Sequence, residues 1–250
     1  MSRSGAVLLE ICVEDSAGLA AAIDGGADRI ELCSALSIGG LTPSAGLMLE
    51  AGRKPLPSFA MIRPRAGNFV WSDDDIAVMR DDIDMARRAG LAGVVLGASL
   101  PDGRLDRECL ATLVRHAGGL GLTLHRAFDL VPDWQEAIDA AVDLGFERIL
   151  TSGGATSAID GADELERLIS IAAGRISIMP GSGINPKTVS ALIPRLPVGE
   201  IHASCATAVA QDNERLVALG FSPPSPRRTD RATIAALKAL LATDLSRPQA

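Results

Sequence analysis

The chain has 250 residues, of which 47% are hydrophobic and 22% charged, a composition typical of a globular protein with a sizeable apolar core. A net charge of −7, the absence of tyrosine and an aromatic fraction of 3% argue against binding to nucleic acid or to an anionic membrane surface. No apolar run reaches the roughly 18 residues of a membrane span, and the first residues lack a secretory signal, so we predict a cytoplasmic protein with no membrane partner.

Eight short apolar runs are predicted to be β-strands, and most of them follow a glycine that can end a helix. In chain order they are residues 6–13, 29–32, 59–63, 94–96, 122–124, 149–150, 176–178 and 201–202. From Gly90 onward, successive glycines of this kind are 29, 26, 29 and 25 residues apart, which is the length of a strand and a crossover helix with short loops. Consecutive strands are therefore predicted to be parallel.

Helices are predicted between the strands. Ser72, followed by three aspartates, is typical of a helix N-terminus, and apolar residues then recur at helical spacing up to Gly90. Asn185 and Pro186 predict a second helix start, and residues 232–241 predict the last helix.

Eight strand and helix units in a chain of this length predict a TIM (β/α)8 barrel, a fold of the α/β class. Because no linker or change in composition interrupts the chain, we expect one domain over residues 1–250, with a flexible tail at residues 246–250. A doubly wound open sheet is the alternative, but no GxGxxG pattern follows the first strand to support it.

Two neighbouring strands each carry a glutamate and a cysteine two residues apart, at Glu10 and Cys12 and at Glu31 and Cys33. A strand alternates sides with a period of two, so each glutamate shares a face with its cysteine, and the aliphatic residues face the other way. Ionisable groups on a buried strand face are unfavourable unless they are paired, so these strands are where we expect a functional site.

Further polar residues follow the predicted strands, at the end of a TIM barrel where active sites lie. They are Arg63, Arg65, His125, Arg126, Asp129, Thr151, Ser152, Gly153, Gly181, Gly183 and His202. The remaining histidine, His116, is predicted to lie solvated on a helix.

This set predicts acid–base chemistry on a small anionic substrate. Glu10, Glu31, His125 and His202 are candidates for proton transfer, and Asp129 lies close to His125 in the sequence. Three arginines, Arg63, Arg65 and Arg126, are candidates for binding the substrate or balancing charge. The structural alternative is a buried ion-pair network without catalysis.

Two glycine-containing turns are candidates for binding a phosphate group. Residues 181–183 precede the predicted helix start at Asn185, so their backbone N–H groups are expected to face an anion, and residues 151–153 offer hydroxyl groups. Tight turns after strands need glycine in any case, which is the alternative interpretation.

Five short motifs occur in the order and at the spacing of a known family. They are ADRIELC at residues 27–33, GGLTPS at 39–44, IRPR at 62–65, HRAFD at 125–129 and LTSG at 150–153. With these motifs the chain resembles the CutC family of copper homeostasis proteins. The resemblance implies a cytoplasmic TIM barrel linked to copper, with Cys12 and Cys33 matching the proposed copper ligands. One departure is Ala66-Gly67-Asn68, which lacks the carboxylate expected in that loop.

Copper binding also has a chemical basis in the residues themselves. Thiolates are soft ligands that favour Cu(I), and cysteines on adjacent strands about 4.8 Å apart can converge on one ion. The alternative is that Cys12 and Cys33 are packed thiols, since free cysteine is among the most buried residue types. The sequence thus leaves two function classes open, a Cu(I)-binding protein and a metal-independent hydrolase, isomerase or lyase, with a homo-oligomer as a further expectation.

Overall fold

Strands and helices alternate along the chain. The computed structural model describes residues 7–244, so the start of the first predicted strand at Ala6 and the predicted tail at 246–250 lie outside the described residues. The longer strands are β1 (Leu8–Val13), β2 (Arg29–Leu32), β3 (Ser58–Met61), β4 (Gly93–Leu96), β5 (Gly121–Leu124), β6 (Arg148–Thr151), β7 (Ser177–Pro180) and β8 (Glu200–Ala203). The helices are α1 (Ser16–Gly25), α2 (Ala45–Ala51), α3 (Asp73–Arg88), α4 (Arg107–His116), α5 (Trp134–Asp143), α6 (Ala162–Ala172), α7 (Val189–Leu192), α8 (Glu214–Ala218) and α9 (Arg231–Asp244).

The strands form a barrel. All neighbouring pairs from β1 to β7 are parallel and consecutive, and β8 pairs with β1, in parallel as well. The two ends of this order, β7 and β8, lie side by side and close the ring. The predicted TIM barrel is therefore confirmed, and the predicted parallel order of the strands with it.

Apolar side chains pack in two separate clusters because each strand alternates faces. The larger cluster fills the space between the strands and the surrounding helices and contains Leu9, Ile11, Ile30 and Leu32, as predicted. The smaller one consists of buried Cys33, Phe59, Met61 and Val95. These four residues alternate along β2 to β4 with members of the larger cluster, which places them inside the barrel.

The helix predicted after Ser72 is confirmed. The Ser72 hydroxyl accepts a hydrogen bond from the backbone N–H of Asp75 at 3.1 Å, and the Asp75 carboxylate accepts one from the Ser72 N–H, also at 3.1 Å. This reciprocal capping satisfies two N–H groups that a helix start leaves unpaired.

The helix start predicted at Asn185 and Pro186 is correct in its cap and too early for the regular helix: the Asn185 carbonyl oxygen accepts from the N–H groups of Thr188 and Val189 at 3.1 and 3.0 Å, but α7 begins only at Val189 and has four residues. The Asn185 carboxamide accepts a hydrogen bond from the N–H of Lys187 at 2.8 Å, and the Thr188 hydroxyl accepts one from the N–H of Asn185 at 3.0 Å. The bond to Lys187 is that of an N-cap, so Asn185 starts a single turn over residues 186–188, which directly precedes α7.

A segment of the chain leaves the barrel between β8 and α9. In this segment β9 (Ala206–Ala208) pairs antiparallel with β10 (Arg227–Thr229), and α8 lies between them. We call residues 206–229 the C-terminal arm. Its side chains at Leu219 and Phe221 are 57% and 77% exposed.

None of the helices within residues 7–244 has the length and apolar character needed to cross a lipid bilayer.

Candidate functional site

A cavity of about 390 Å³ opens at the carboxyl ends of the barrel strands. It is lined by residues from β1, β2, β3, β6 and β8 and from the loops after β5 and β7, among them Cys12, Glu31, Met61, Leu150, His202, His125 and Gly183. A wider depression of about 840 Å³ on the C-terminal arm contains none of the predicted site residues. The barrel mouth is therefore the candidate site.

Glu10 and His202 form the central contact of this site. The pairing of β1 with β8 places the two residues opposite each other, and His202 Nδ1 donates to Glu10 Oε1 at 2.8 Å. Burial alone raises the pKa of Glu10, but the hydrogen bond and positive charge of His202, with Arg29, lower it to about 2. Glu10 is therefore a carboxylate at any physiological pH.

His202 is held between two glutamates. Burial lowers its pKa, but the charge of Glu31 and contacts with Cys12 and Glu10 outweigh burial and raise the pKa of His202 well above its usual value. Its Nε2 lies 3.7 Å from Glu31 Oε2. For Glu31 itself burial is the largest effect and raises the pKa. The site thus combines a cationic imidazole with one ionised glutamate and one that retains its proton more readily.

Three side chains at the mouth are close enough to bind one metal ion. A carboxylate oxygen of Glu31, a ring nitrogen of His202 and Cys12 Sγ all lie within 4.8 Å of one another. Cys33 is not a member of this group; its thiol donates to Glu31 Oε2 at 3.4 Å. Burial, followed by the charge of Glu31, raises the pKa of the Cys33 thiol well above its usual value. The thiol of Cys12 and the imidazole of His202 fit a soft cation, whereas a carboxylate oxygen does not.

Beneath the mouth the barrel interior is ionic. The Arg29 guanidinium donates to Glu10 Oε2 and, at 2.5 Å, to Glu200 Oε2. Arg148 contacts the same Glu200 at 3.3 Å, and both arginines lie over the ring of Phe59. The network holds Glu10 from below while His202 holds it from above.

His125 lines the cavity and has one buried ring nitrogen without a hydrogen-bond partner among the described residues. The backbone N–H of Ala127 donates to His125 Nδ1 at 3.1 Å, so the ring proton of the neutral imidazole lies on Nε2. Burial, followed by the charge of Arg63, lowers the pKa of His125 to about 3, so the imidazole is neutral. Among the described residues Nε2 has no partner, and neither has Glu31 Oε1. Unsatisfied buried polar atoms in a cavity wall are typical of ligand-binding positions.

The close approach of His125 to β4 requires a glycine. A Cβ atom at Gly97 would lie 2.5 Å from His125 Cε1 and 2.6 Å from Nδ1, well inside van der Waals contact. No other residue at position 97 leaves room for the imidazole.

The predicted arginines have different surroundings. Arg63 lines the cavity and is buried, and its guanidinium donates to the carbonyl oxygens of Ile38, Gly40 and Gly67 at 3.0 to 3.1 Å. Arg65 does not line the cavity; it pairs with Asp75 at 3.1 Å. Asn68, at the position of the departure from the family pattern, accepts from Arg65 at 3.2 Å and is exposed.

Asp129 organises the loop after β6 and does not line the cavity. It pairs with Arg126 at 2.7 Å, and it accepts from the Thr151 hydroxyl at 2.5 Å and from the Ser152 N–H at 3.2 Å. Arg126 reaches the cavity wall, whereas Thr151, Ser152 and Gly153 do not. Asp129, Thr151 and Ser152 therefore hold the loop after β6 in place and do not line the cavity.

The turn after β7 has an unusual backbone at Ser182 and Gly183, whose φ angles are 72° and 73°. Ser182 and Gly183 line the cavity, while Gly181 lies behind them, where a Cβ would come within 2.5 Å of Leu150 Cδ1. The phosphate site expected here rested partly on a helix start at Asn185, which the structure replaces with a turn.

His116 lies on α4 as predicted, but it is paired and only partly exposed. Its Nε2 lies 3.1 Å from Asp84 Oδ1.

Several residues of the site are not identified by the sequence patterns. Arg29 shares a face with Glu31 by the same alternation, which is a signal that was available. Glu200, Arg148, Cys205, Phe69 and Arg227 follow no comparable motif; the last three line the cavity. Cys205 adopts a φ of 45°, in the left-handed region.

Comparisons with known proteins agree with this architecture. A Rhizobium meliloti (strain 1021) family protein CutC is 63% identical over 96% of this chain and 97% of its own length. An Agrobacterium fabrum family protein CutC is 57% identical, with 94% of each chain covered.

A solved structure matches the barrel. The crystal structure of a CutC protein from Streptococcus agalactiae, described as a copper homeostasis protein, has a TM-score of 0.76 and 33% identity. The match covers 79% of this chain and 98% of that one. The profile of the CutC family matches residues 7–207, which include every residue that lines the mouth except Arg227 and Thr233. The chain belongs to the CutC family.

Proposed function

We propose that this protein takes part in copper homeostasis by binding Cu(I) at the barrel mouth. The observation that carries the proposal is the convergence of Cys12 Sγ and a ring nitrogen of His202 within 4.8 Å, in the wall of an open cavity. The description of the Streptococcus agalactiae relative as a copper homeostasis protein supports the same role. Cu(I) accepts low coordination numbers and prefers sulfur and imidazole donors.

Cys12 is the principal ligand in this proposal, and Cys33 is the second predicted thiol. Cys33 lies behind Glu31, to which it donates at 3.4 Å, and it is fully buried in the apolar cluster inside the barrel. Binding through both thiols therefore requires Cys33 to leave its bond with Glu31. Binding through Cys12 and His202 does not.

Anaerobic titration with Cu(I) in competition with a chromophoric chelator tests the proposal. Loss of an outer contact to a metal ligand weakens affinity by about 10- to 100-fold, so loss of the ligand in Cys12→Ser is expected to weaken it by at least about 100-fold. Cys109→Ser is the matched control, because Cys109 is also buried but lies on α4, outside the barrel mouth. Comparison of Cys33→Ser with His202→Asn identifies the second ligand. Unchanged affinity in Cys12→Ser would refute the assignment.

A second function is favoured by the cavity itself. A volume of about 390 Å³ accommodates a small molecule, and the unpaired atoms His125 Nε2 and Glu31 Oε1 offer it a donor and an acceptor. We propose an enzyme that acts on a small anionic or phosphorylated substrate without a metal. Glu10, His202 and Glu31 move protons in this proposal, and Arg63 and Arg126 attract the anion.

A thermal-shift screen against small carboxylic acids and phosphate esters tests this second function. A substrate or product that binds the mouth is expected to raise the melting temperature of the wild type and not of His125→Ala. His116→Ala, on α4, is the control. A ligand that raises the melting temperatures of His125→Ala and His116→Ala equally binds elsewhere and counts against the proposal.

A cytoplasmic location and self-association complete the proposal. All four cysteines are free thiols, as a reducing compartment maintains them. Sedimentation of the wild type and of Phe221→Ser, in the C-terminal arm, tests self-association through the exposed apolar residues there. A monomeric wild type contradicts it.

A further inference from the structure

Arg29 and Arg63 are both buried, but their charge environments differ. Arg29, in the barrel interior, pairs with Glu10 and Glu200. Arg63, at the mouth, is only 6% exposed, and within residues 7–244 no carboxylate forms an ion pair with it. A buried charge is unfavourable unless an opposite charge balances it, so Arg63 favours an anion at this point of the cavity wall.

The Arg63 guanidinium is fixed in place and retains a free donor. Its Nη1 and Nη2 atoms donate to the carbonyl oxygens of Ile38, Gly40 and Gly67 at 3.0 to 3.1 Å. Its Nε atom is buried and has no partner in the described part of the chain. Carbonyl oxygens orient a guanidinium without neutralising it, and a free Nε–H is one of the donors that arginine uses to bind an oxyanion.

His125 supplies a second free donor. Because the backbone N–H of Ala127 donates to His125 Nδ1 at 3.1 Å, the imidazole is neutral and carries its proton on Nε2. This Nε2 atom is buried and, like Arg63 Nε, has no partner among the described residues. A neutral N–H adds a hydrogen bond to an anion without adding charge to the site.

The fold brings the two donors to one side of the mouth. Arg63 follows β3 and His125 follows β5, the two neighbours of β4 in the barrel. The ring of Phe69 lies 4.9 Å from Arg63 Cζ and 4.8 Å from the centre of the His125 ring. Gly97, which follows β4, leaves the space that the imidazole occupies. All three of Arg63, Phe69 and His125 line the cavity.

We propose that Arg63 and His125 together bind the carboxylate group of a small monocarboxylic acid. The proposal rests on the metal-independent enzyme proposed above and specifies the anion that it binds. One guanidinium charge and one neutral donor match a single negative charge. Arg126 is already paired with Asp129 at 2.7 Å. A phosphate dianion at Arg63 and His125 would therefore bring a second negative charge that neither residue neutralises.

The remainder of the bound acid faces the other walls of the cavity. In the ring of eight strands β8 is opposite β4, and β8 carries His202. Apolar side chains also line the cavity, at Leu36, Met61, Leu150 and Ile184. An acid anchored beside β4 therefore presents an apolar body to these side chains and its far end to the polar residues of β8 and β1.

Titration of the full-length protein with 4-methylpentanoate tests the proposal, with NMR of the imidazole nitrogens to locate binding and calorimetry to measure affinity. We expect the Nε2 signal of His125 to shift and the signals of His116 to stay in place. The matched amide, 4-methylpentanamide, lacks the charge and is expected to bind at least about 10-fold more weakly, because hydrogen bonds to charged groups are the stronger ones. Equal affinities for the acid and the amide, or no shift of the His125 signal with the acid, would overturn the proposal without any variant.

Two substitutions test the two donors separately. Arg63→Gln is expected to weaken binding of the acid by at least about 10-fold and to leave binding of the amide unchanged. Arg65→Gln is the matched control, because Arg65 pairs with Asp75 outside the cavity. If Arg63→Gln does not fold, His125→Ala and the comparison of acid with amide in the wild type still decide the question. An unchanged affinity for the acid in His125→Ala would remove that donor from the site.

The double variant of Arg63→Gln and His125→Ala tests whether the two residues hold the same group. Since both are expected to contact one carboxylate, the loss of affinity in the double variant should be smaller than the product of the two single losses. A loss equal to that product would show that the two residues act on different parts of the ligand.

The outcomes separate this proposal from the enzyme proposal on which it rests. If 3-methylbutyl phosphate raises the melting temperature of the wild type and not of His125→Ala, while 4-methylpentanoate does not bind, the carboxylate assignment is refuted and the enzyme proposal stands. If the acid binds through Arg63 and His125 but the wild type turns over no carboxylic acid, the binding site is confirmed and the enzyme proposal fails.

Discussion

The imidazole of His202 and the carboxylate of Glu10 are 2.8 Å apart although 192 residues separate them in the chain. They meet because β8, the last strand of the barrel, pairs with β1, the first. The contact links the closure of the barrel directly to the chemistry of its mouth.

The charge of Glu31, with smaller contributions from Cys12 and Glu10, is expected to keep a proton on His202 above neutral pH. Because the folded pKa of His202 is raised, its contribution to stability is present below pH 6.5, the ordinary histidine value, and is lost as the pH rises through the folded pKa. NMR titration is tractable with three histidines in the chain. Glu10→Gln is expected to lower the pKa of His202; an unchanged value would show that the hydrogen bond to Glu10 does not contribute to it.

The neutral state of His125 predicts a loss of stability in acid. Its pKa falls from 6.5 to about 3 on folding, so its contribution is present above pH 6.5 and decreases as the pH falls toward 3. Glu10 adds a second loss between pH 4.5 and about 2. Urea unfolding at several pH values measures both.

Between pH 6.5 and 4.5 the free energy of unfolding is expected to decrease less steeply in His125→Gln than in the wild type, because the first loss is absent. His116→Gln retains His125 and serves as the control. Identical slopes in the wild type and His125→Gln would contradict a buried, neutral imidazole.

Arg29 is expected to be the most sensitive charged residue of the barrel interior. Arg29→Met leaves Glu10 and Glu200 buried without their shared cation, and removal of one partner of a buried ion pair destabilises a protein by about 3–5 kcal/mol. Arg104→Met removes an exposed pair with Asp102 and is expected to change little. Equal effects of the two substitutions on the urea midpoint would show that the interior network is not coupled to folding.

Gly97→Ala is expected to displace His125, because the new methyl group would lie 2.5 Å from the ring. Binding of a mouth ligand should weaken, since the Nε2 donor moves with the ring. Gly199→Ala is the matched control, because a Cβ there meets no atom within 4 Å. A calorimetric titration of each variant with a ligand found by the thermal-shift screen makes the comparison, and equal affinities would remove His125 from the binding site.

The sequence predicts the barrel and the inner faces of its first strands because both depend on local patterns. Glycine-spaced apolar runs mark strands joined by helices, and a period of two assigns Glu10, Cys12, Glu31 and Cys33 to one surface. The burial of arginines on strands, such as Arg29 and Arg148, is not predicted by these patterns, because arginine is usually exposed. Their burial depends on partners that only the closed ring brings together.

The C-terminal arm and the turn at Asn185 show where local patterns fail. Strands of three residues, such as β9 and β10, are too short for any periodicity to develop. At Asn185 the side-chain bond to Lys187 is the capping bond that the sequence predicts, but only a single turn follows it before α7 begins at Val189. Asp129 stabilises a loop and does not line the cavity. Local patterns cannot separate these two roles, because they depend on packing between segments that are far apart in the chain.

The charge network in the barrel interior also has a consequence for biosynthesis. Arg29 emerges from the ribosome long before Glu200, which follows it by 171 residues in the chain. Until β8, which carries Glu200, pairs with β1, Arg29 and Glu10 lack part of their native ion-pair network. Assembly of the barrel mouth is thereby tied to the late part of synthesis, so a polypeptide truncated before β8 lacks both the imidazole of His202 and the carboxylate of Glu200.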